Sequence, residues 1–418
     1  MAAANKVLIV NIGQLVTLAG PARPRVGLEM RELSIVNDAA ILVENGRISA
    51  VGAYANIAHV IDNRTMVVDA KGSLVTPGFV DAHTHLVFAG NRAAEFEKRI
   101  GGATYQEIAA AGGGIQSTVA LTRAASEEDL LAQTRRHRNW MLRGGTTTLE
   151  AKSGYGLDHP TELRMLRVLA RLAAEGPMRI VPTLLAAHTV PREFADRRQD
   201  YLDWIVAELI PEVASLGLAR YCDAFCDDHA FTVPETRQVL EAASNHGLGL
   251  RLHAEQFRPG TGAALAAELG AATVDHLETV TDETLHQLRK AGVQPVLLPA
   301  SVFCLGRDQY PPARKMIDLG LPVVIATDFN PGSSPAPSMP FALALASIEM
   351  KMLPSEALAA VTINAAWSLG LGDEAGSLEV GKAADFLIHE CRDYRELSYY
   401  VAAPARPRVF ISGNEVVA

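Results

Sequence analysis

Leu74-Val75-Thr76-Pro77-Gly78-Phe79-Val80-Asp81-Ala82-His83-Thr84-His85 decides the fold. The apolar run Leu74–Val80 reads as a buried strand with polar residues crowded at its far end. Side chains two apart on a strand share a face, so His83 and His85 aim at one point just past it. Two imidazoles aimed at one point make half of a transition-metal site. Alone, such a pair also suits packing or surface histidines, so the rest of the chain must supply the other half.

Further buried-strand runs follow: Thr146–Ala151, Ile180–Ala186, Arg220–Cys226, Leu248–Leu252, Thr273–Asp275, Gln294–Leu298 and Pro322–Ala326, which with the first make eight. Helical patterns with readable ends lie between them. Ser126 with Asp129 reads as a capping box, and that helix stops before Gly144-Gly145. Pro160 opens a second, with Leu163, Leu166, Leu169 and Ala170 on one face. Thr281 precedes a third, which carries Leu285 and Leu288. Strands alternating with helices in this number predict a (β/α)8 TIM-type barrel over residues 73–373. A doubly wound open sheet is the competing architecture. No Gly-x-Gly-x-x-Gly follows an early strand, so it lacks the phosphate loop of a dinucleotide fold. Gly112-Gly113-Gly114 follows a polar segment and reads as a mobile loop rather than a phosphate cradle.

Both ends of the chain carry a different pattern. Ala40–Val51 is a hairpin with Asn45-Gly46 at its turn. Phe386-Leu387-Ile388 and Arg408-Val409-Phe410-Ile411 are strand-like, and Gly413-Asn414 marks a turn. Residues 1–72 and 374–418 are therefore expected to form one small β-sandwich domain from both termini.

With 418 residues, 49% of them hydrophobic, the chain is long enough for a large barrel and a second core. A net charge of -9 without any basic cluster argues against a nucleic-acid partner. The four cysteines (Cys222, Cys226, Cys304 and Cys391) are too scattered for a disulfide framework. Cys222 and Cys226 fall on one strand face and read as core rather than as a metal pair. The apolar start Val7–Val10 is broken by Asn11, Gly13 and Gln14, too short and polar for a signal peptide or membrane span. The expected compartment is the cytoplasm. The expected partner is a small-molecule substrate, and a homodimer is one expectation for assembly.

Chemistry gathers at the C-terminal ends of barrel strands. His83, His85, His188, His253 and His276 fall there, five of the chain's 12 histidines, and Asp328 ends the last strand. Packing alone does not account for such a distribution. His83, His85, His253 and Asp328 offer three imidazoles and a carboxylate, a set that suits one divalent Zn or Fe ion with water completing the shell. Such an ion lowers the pKa of its water toward ~7. Asp328 can then take the water's proton, and His276, one strand from His253, can hydrogen-bond the water or a developing oxyanion. A helix N-cap is the plain alternative for Asp328.

This pattern resembles the amidohydrolase superfamily over essentially the whole chain. Narrower stretches resemble a branch that opens an imidazolone ring in histidine degradation. They are Asp81–Leu86 with Phe88-Ala89-Gly90-Asn91-Arg92, Glu150-Ala151-Lys152-Ser153-Gly154-Tyr155-Gly156, Ala187-His188, Leu252-His253-Ala254-Glu255-Gln256, and Ala326–Ser333. The resemblance implies hydrolysis of 4-imidazolone-5-propanoate to N-formimidoyl-L-glutamate by a water ionised at a mononuclear site. It also implies substrate contacts by Arg92, Tyr155, His188, Gln256, Asn330, Gly332 and Ser333.

Residue chemistry agrees with that implication. An arginine fork pairs a carboxylate tail in bidentate fashion, which suits Arg92. Tyr155 offers a hydroxyl and a ring face to a flat heterocycle. His188 is expected to donate to the ring carbonyl oxygen and polarise it. The segment Asn330–Ser333 presents small polar groups and backbone N–H donors. Where some relatives carry Glu three residues after the strand-five histidine, this chain has Gln256. An amide does not shuttle protons near neutral pH, so Gln256 would orient the ring and Asp328 and His276 would move the proton. Glu255 is expected on the opposite strand face. A superfamily deaminase of a nucleobase-like substrate remains a rival, disfavoured by Gln256 and by Arg92. A dinuclear hydantoinase needs a lysine at the end of strand four, and Phe225-Cys226-Asp227-Asp228-His229 has none. A non-catalytic scaffold relative should have lost metal ligands, and all four are present. Arg123 and His229 are further candidates for the pocket lining.

Overall fold

The computed structural model describes residues 6–416 apart from 58, 60–64, 104–106, 108–111, 228–229, 402 and 404–405. The N-terminal strands are β1 (Lys6–Val16), β2 (Ile35–Glu44), β3 (Arg47–Ala53), β4 (Met66–Asp69) and β5 (Leu74–Pro77). The central strands are β6 (Phe79–Asp81), β7 (Thr146–Lys152), β8 (Arg179–Ala187), β9 (Tyr221–Cys226), β10 (Gly249–Leu250), β11 (His253–Ala254), β12 (Thr273–His276), β13 (Gln294–Leu297) and β14 (Val324–Ile325). At the C-terminus lie β15 (Phe386–Ile388), β16 (Arg408–Ile411) and β17 (Asn414–Val416).

The central strands form a parallel sheet in the order β14-β13-β12-β11-β9-β8-β7-β6. Short β10 and β11 both pair with β9 and share one strand position, interrupted at Arg251-Leu252. Backbone bonds beyond the strand ends bring the two edges together. Asp328 N–H donates to the His83 carbonyl at 3.1 Å, and His85 N–H donates to the Phe329 carbonyl at 2.9 Å. This is the expected (β/α)8 barrel.

The run Leu74–Val80 is not one strand. β5 pairs with β1 and β15 in the terminal sheet, while β6 pairs with β7 in the barrel. Gly78 is the crossing point, and a side chain there would overlap Thr147. Both halves are buried, so hydrophobicity alone does not reveal that the chain changes sheets.

Strands from both termini make one continuous eight-stranded sheet, β17-β16-β15-β5-β1-β2-β3 with β4 on β1. Val7, Ile9, Ile41, Ile48, Phe386 and Phe410 meet in its separate apolar core. The Asn45-Gly46 turn has φ of 52° and 77°, the left-handed pair that a two-residue hairpin requires. The C-terminal turn sits one residue earlier than expected, at Ser412-Gly413, because Asn414 already pairs with Ile411.

The helix signals hold. Ser126 accepts from the Asp129 N–H and caps Glu127–Arg143, which ends at Gly144. Asp158 caps His159–Glu175 with Pro160 in its first turn, and Leu163, Leu166 and Leu169 are buried, while Ala170, expected on the same face, is exposed. Thr281 caps Asp282–Ala291 and buries Leu285 and Leu288. Gly114 precedes the Ile115–Ala124 helix, and its N–H donates to the Glu95 carboxylate, so an anion of the protein's own already faces that glycine run. Cys222 and Cys226 are buried in the main core. No helix among the described residues is long and apolar enough to cross a membrane.

The barrel interior is layered. Val80, Val181, Tyr221, Val296 and Val324 form an apolar plug with Ala365, Ala366 and Leu369. Two residues beyond Tyr221 along β9 comes Asp223, which begins a fully buried charged layer. Past that layer, at the strand ends, lie the histidines.

Candidate metal centre and active site

His83 and His85 follow β6, His253 opens β11, and Asp328 follows β14, so three separate stretches meet at one rim. Asp328 Oδ1 lies 3.4 Å from His83 Nε2 and 3.5 Å from His85 Nε2. His85 Nε2 and His253 Nε2 are 3.5 Å apart. Donors each about 2.0–2.2 Å from one ion stand roughly 3–3.6 Å from each other, so these spacings suit a shared ion. His83 Nε2 is buried and has no hydrogen-bond partner of its own. The four residues therefore fit one divalent metal.

The protonation states of His253 and Asp328 agree. Burial holds His253 down to about 3, keeping it a neutral imidazole with a free lone pair. Burial opposes ionisation of Asp328, but His83 and His85 outweigh it and hold the carboxyl well below its usual range. Asp328 has φ of 53° and His276 has φ of 81°. Backbone in that region costs on the order of 1–3 kcal/mol for a residue with a side chain, so two residues of the rim carry strain.

Two of the three metal-facing rings, His83 and His253, are oriented from behind, while His85 Nδ1 is buried without a hydrogen-bond partner. His83 Nδ1 lies 2.6 Å from Asp275 Oδ2, and His253 Nδ1 lies 3.0 Å from Asp223 Oδ1. Both nitrogens are thus the protonated ones, which leaves each Nε2 free to bind. Between the carboxylates sits Lys152, whose Nζ is 2.8 Å from Asp223 Oδ2 and 2.8 Å from Glu150 Oε1. Arg251 donates to the Ala82 carbonyl at 2.8 Å. The sequence reading assigned no role to Asp223, Asp275, Lys152 or Arg251. The available signal was a charge inside a buried strand, as in Glu150-Ala151-Lys152 and Tyr221-Cys222-Asp223.

The predicted substrate residues surround this centre. Arg92 Nε donates to Thr118 Oγ1 at 2.9 Å, and its guanidinium lies against Gly332, where an added Cβ would come 2.5 Å from Nη1. Tyr155 is buried, its ring centroid 5.9 Å from that of His85. Its loop is held by Glu162, which accepts N–H groups from Gly154, Gly156 and Leu157. His188 stacks on His85 at 5.1 Å, and its Nδ1 lies 2.9 Å from the Gly154 carbonyl oxygen. That carbonyl can only accept, so Nδ1 carries the proton of His188. Burial holds His188 neutral, which leaves Nε2 as an acceptor, opposite to the donor role expected from sequence.

Asn330 engages its amide in its own loop, donating to the Asp328 carbonyl and accepting from the Gly332 and Ser333 N–H groups. Ser333 Oγ donates to Asp328 Oδ2 at 3.3 Å. Gln256 is buried just beyond β11. Glu255 points away from the centre and accepts from Ala263 N–H, with burial raising it to about 7. The His276 ring lies 5.4 Å from His253 and 5.8 Å from His83. Its Nδ1 faces Glu278 at 3.4 Å. Burial disfavours its charge, but Glu278 and Asp328 outweigh that and raise it above the usual histidine value. Arg123 braces the Tyr155 loop, donating to the carbonyls of Gly156 and Leu157. His229 lies outside the described residues.

A parallel barrel with histidines on strands one and five and an aspartate after strand eight defines a metal-dependent amidohydrolase. Residues 74–416 match the amidohydrolase family. Imidazolonepropionase from Solibacter usitatus (strain Ellin6076) is 55% identical over 406 residues, covering 97% of both chains. Imidazolonepropionase from Geobacillus thermodenitrificans (strain NG80-2) is 46% identical over 97% of this chain and 96% of its own. The chain belongs to the amidohydrolase family, among its imidazolonepropionases. Among solved structures, a 5-methylcytosine deaminase from Klebsiella pneumoniae has a TM-score of 0.74 at 18% identity, covering 98% of this chain and 97% of its own. An E. coli guanine deaminase has a TM-score of 0.70 at 16% identity over 99% of each chain. At such identities these two likenesses speak for the fold alone.

Proposed function

We propose that this hydrolase adds water to 4-imidazolone-5-propanoate and opens its ring to N-formimidoyl-L-glutamate, with the following division of labour. A zinc or ferrous ion held by His83, His85, His253 and Asp328 supplies Lewis acidity that lowers the pKa of a water toward ~7. Arg92 grips the propanoate; its geometry against the Gly332 loop supports that role. Tyr155 covers one face of the heterocycle. Neutral His188 accepts a ring N–H at Nε2, a role its bond to Gly154 favours over donation. His276, oriented and made more basic by Glu278, donates to the oxyanion as it forms. Asp328 Oδ2, the oxygen that accepts from Ser333 Oγ, takes the proton and returns it to the departing nitrogen. Gln256, Asn330, Gly332 and Ser333 shape the pocket around the ring.

The observation that carries this reading is the joint placement of a metal-donor quartet and an arginine fork on one rim. A deaminase has no use for that fork. The test adds purified enzyme to freshly generated imidazolone propanoate and follows ring absorbance. Loss of absorbance with formimidoylglutamate appearing is the expected result; an inert mixture at full metal occupancy refutes the substrate. Asp328→Ala is expected to abolish turnover and reduce bound metal, checked by metal analysis beside the rate.

A further inference from the structure

The charged layer beneath the histidines does nothing in the steps just described. Glu150, Lys152, Asp223, Arg251 and Asp275 are all 0% exposed. Burying five charges where apolar side chains would pack is a poor way to stabilise a barrel, since buried ion pairs roughly break even with hydrophobic replacements. The layer's arrangement has another logic. Asp223 stands between Lys152 at 2.8 Å and His253 at 3.0 Å. Asp275 Oδ2 stands between His83 at 2.6 Å and two cations, Lys152 and Arg251, each at 3.8 Å. Arg251 also holds the carbonyl of Ala82, the residue before His83. Three carboxylates face two cations, so the layer's surplus charge is negative and lies directly behind the metal donors.

We infer that Lys152, supported by Arg251, is a positioning residue for the metal centre. It anchors Asp223 and Asp275 as acceptors, and they fix His253 and His83 in the ring orientation and tautomer that present Nε2 to the ion. The inference rests on the metal-site reading. Lys152 touches neither substrate nor ion, so its removal should weaken metal binding without altering substrate affinity in the loaded enzyme. Outer-shell partners of this kind typically change metal affinity by about 10–100-fold.

The test uses the full chain. The charge-matched double variant Lys152→Met with Glu150→Gln removes one cation and one anion together. Metal dissociation constants come from chelator competition, with zinc as the probe. Imidazole N–H proton resonances are followed in parallel, along with kcat and KM at saturating zinc. The expected result is about 10–100-fold weaker zinc binding, loss of the hydrogen-bonded Nδ1–H signal of His253, and an unchanged KM. Wild-type zinc affinity in this variant would overturn the inference, because Lys152 would then only balance Glu150. Asp223→Asn reads the same link from the carboxylate side and serves if the double variant does not fold. It too should bind zinc more weakly, and unchanged affinity overturns the inference. If the wild-type enzyme itself takes up no metal, the metal-site reading fails instead.

Discussion

Gly332 shows how little room the rim leaves. A methyl group there would displace the Arg92 guanidinium, so Gly332→Ala is expected to disturb the carboxylate grip at a position that makes no charged contact itself. Charged hydrogen bonds contribute about 1.5–3 kcal/mol, so KM should rise about 10–100-fold with a smaller change in kcat. Steady-state kinetics of Gly332→Ala beside Arg92→Met checks this; an unchanged KM in both removes Arg92 from the carboxylate. Residues at this scale were legible in proportion to how unusual they are in place. Histidines and an aspartate at strand ends announce themselves. Asp223, Lys152 and Arg251 did not, because their meaning depends on which strands are neighbours, and that register is set by tertiary pairing. The protonated nitrogen of His188 was equally hidden, since it is chosen by a carbonyl thirty-four residues away in sequence.

Among the elements, the helices were the easiest to read, because a cap and a stop are local chemistry. Ser126 caps its helix as expected and is exposed. Ser126→Ala should cost about 1 kcal/mol in urea unfolding and leave turnover unchanged. The loop between β7 and the His159–Glu175 helix makes a sharper case. Glu162 is its buried acceptor, and Glu162→Ala strands the N–H groups of Gly154, Gly156 and Leu157. Tyr155 rides on that loop, so the variant should raise KM about 5–150-fold, the equivalent of about 1–3 kcal/mol of lost order. A KM matching wild type would detach the loop from substrate binding. Strands were harder to read than helices. The change of sheet at Gly78 and the break at Arg251-Leu252 leave no trace in hydrophobicity, because buried stretches look alike whichever sheet they join.

At the scale of the whole molecule, the terminal sheet and the barrel meet around His389. Its Nε2 lies 2.8 Å from Thr76 Oγ1, and its ring lies 6.1 Å from Phe79. Burial holds it at about 3, well below an unfolded histidine. A group whose folded pKa is depressed gives its stability above the unfolded value and loses it as pH falls toward the folded one. Below pH ~6.5 the unfolded chain binds this proton first, and stability should fall by up to about 1.4 kcal/mol per pH unit from this site until pH nears 3. His389→Gln should flatten that slope in denaturant titrations between about pH 4 and 6.5, inside the window bounded by those two values. An identical slope would place the acid sensitivity elsewhere.

The two backbone bonds that join the first and last barrel strands run through His83, His85, Asp328 and Phe329. The cylinder is therefore sewn shut by the same peptide units that carry its ligands. An ion bound there acts as a clasp, and stripping it with a chelator should register as faster amide exchange along this seam before any distant strand loosens. At 100–1,000-fold saturation the clasp would account for about 3–4 kcal/mol of resistance to unfolding. Exchange rates at the amides of His85 and Asp328 that ignore the chelator would mean the stitching holds without it.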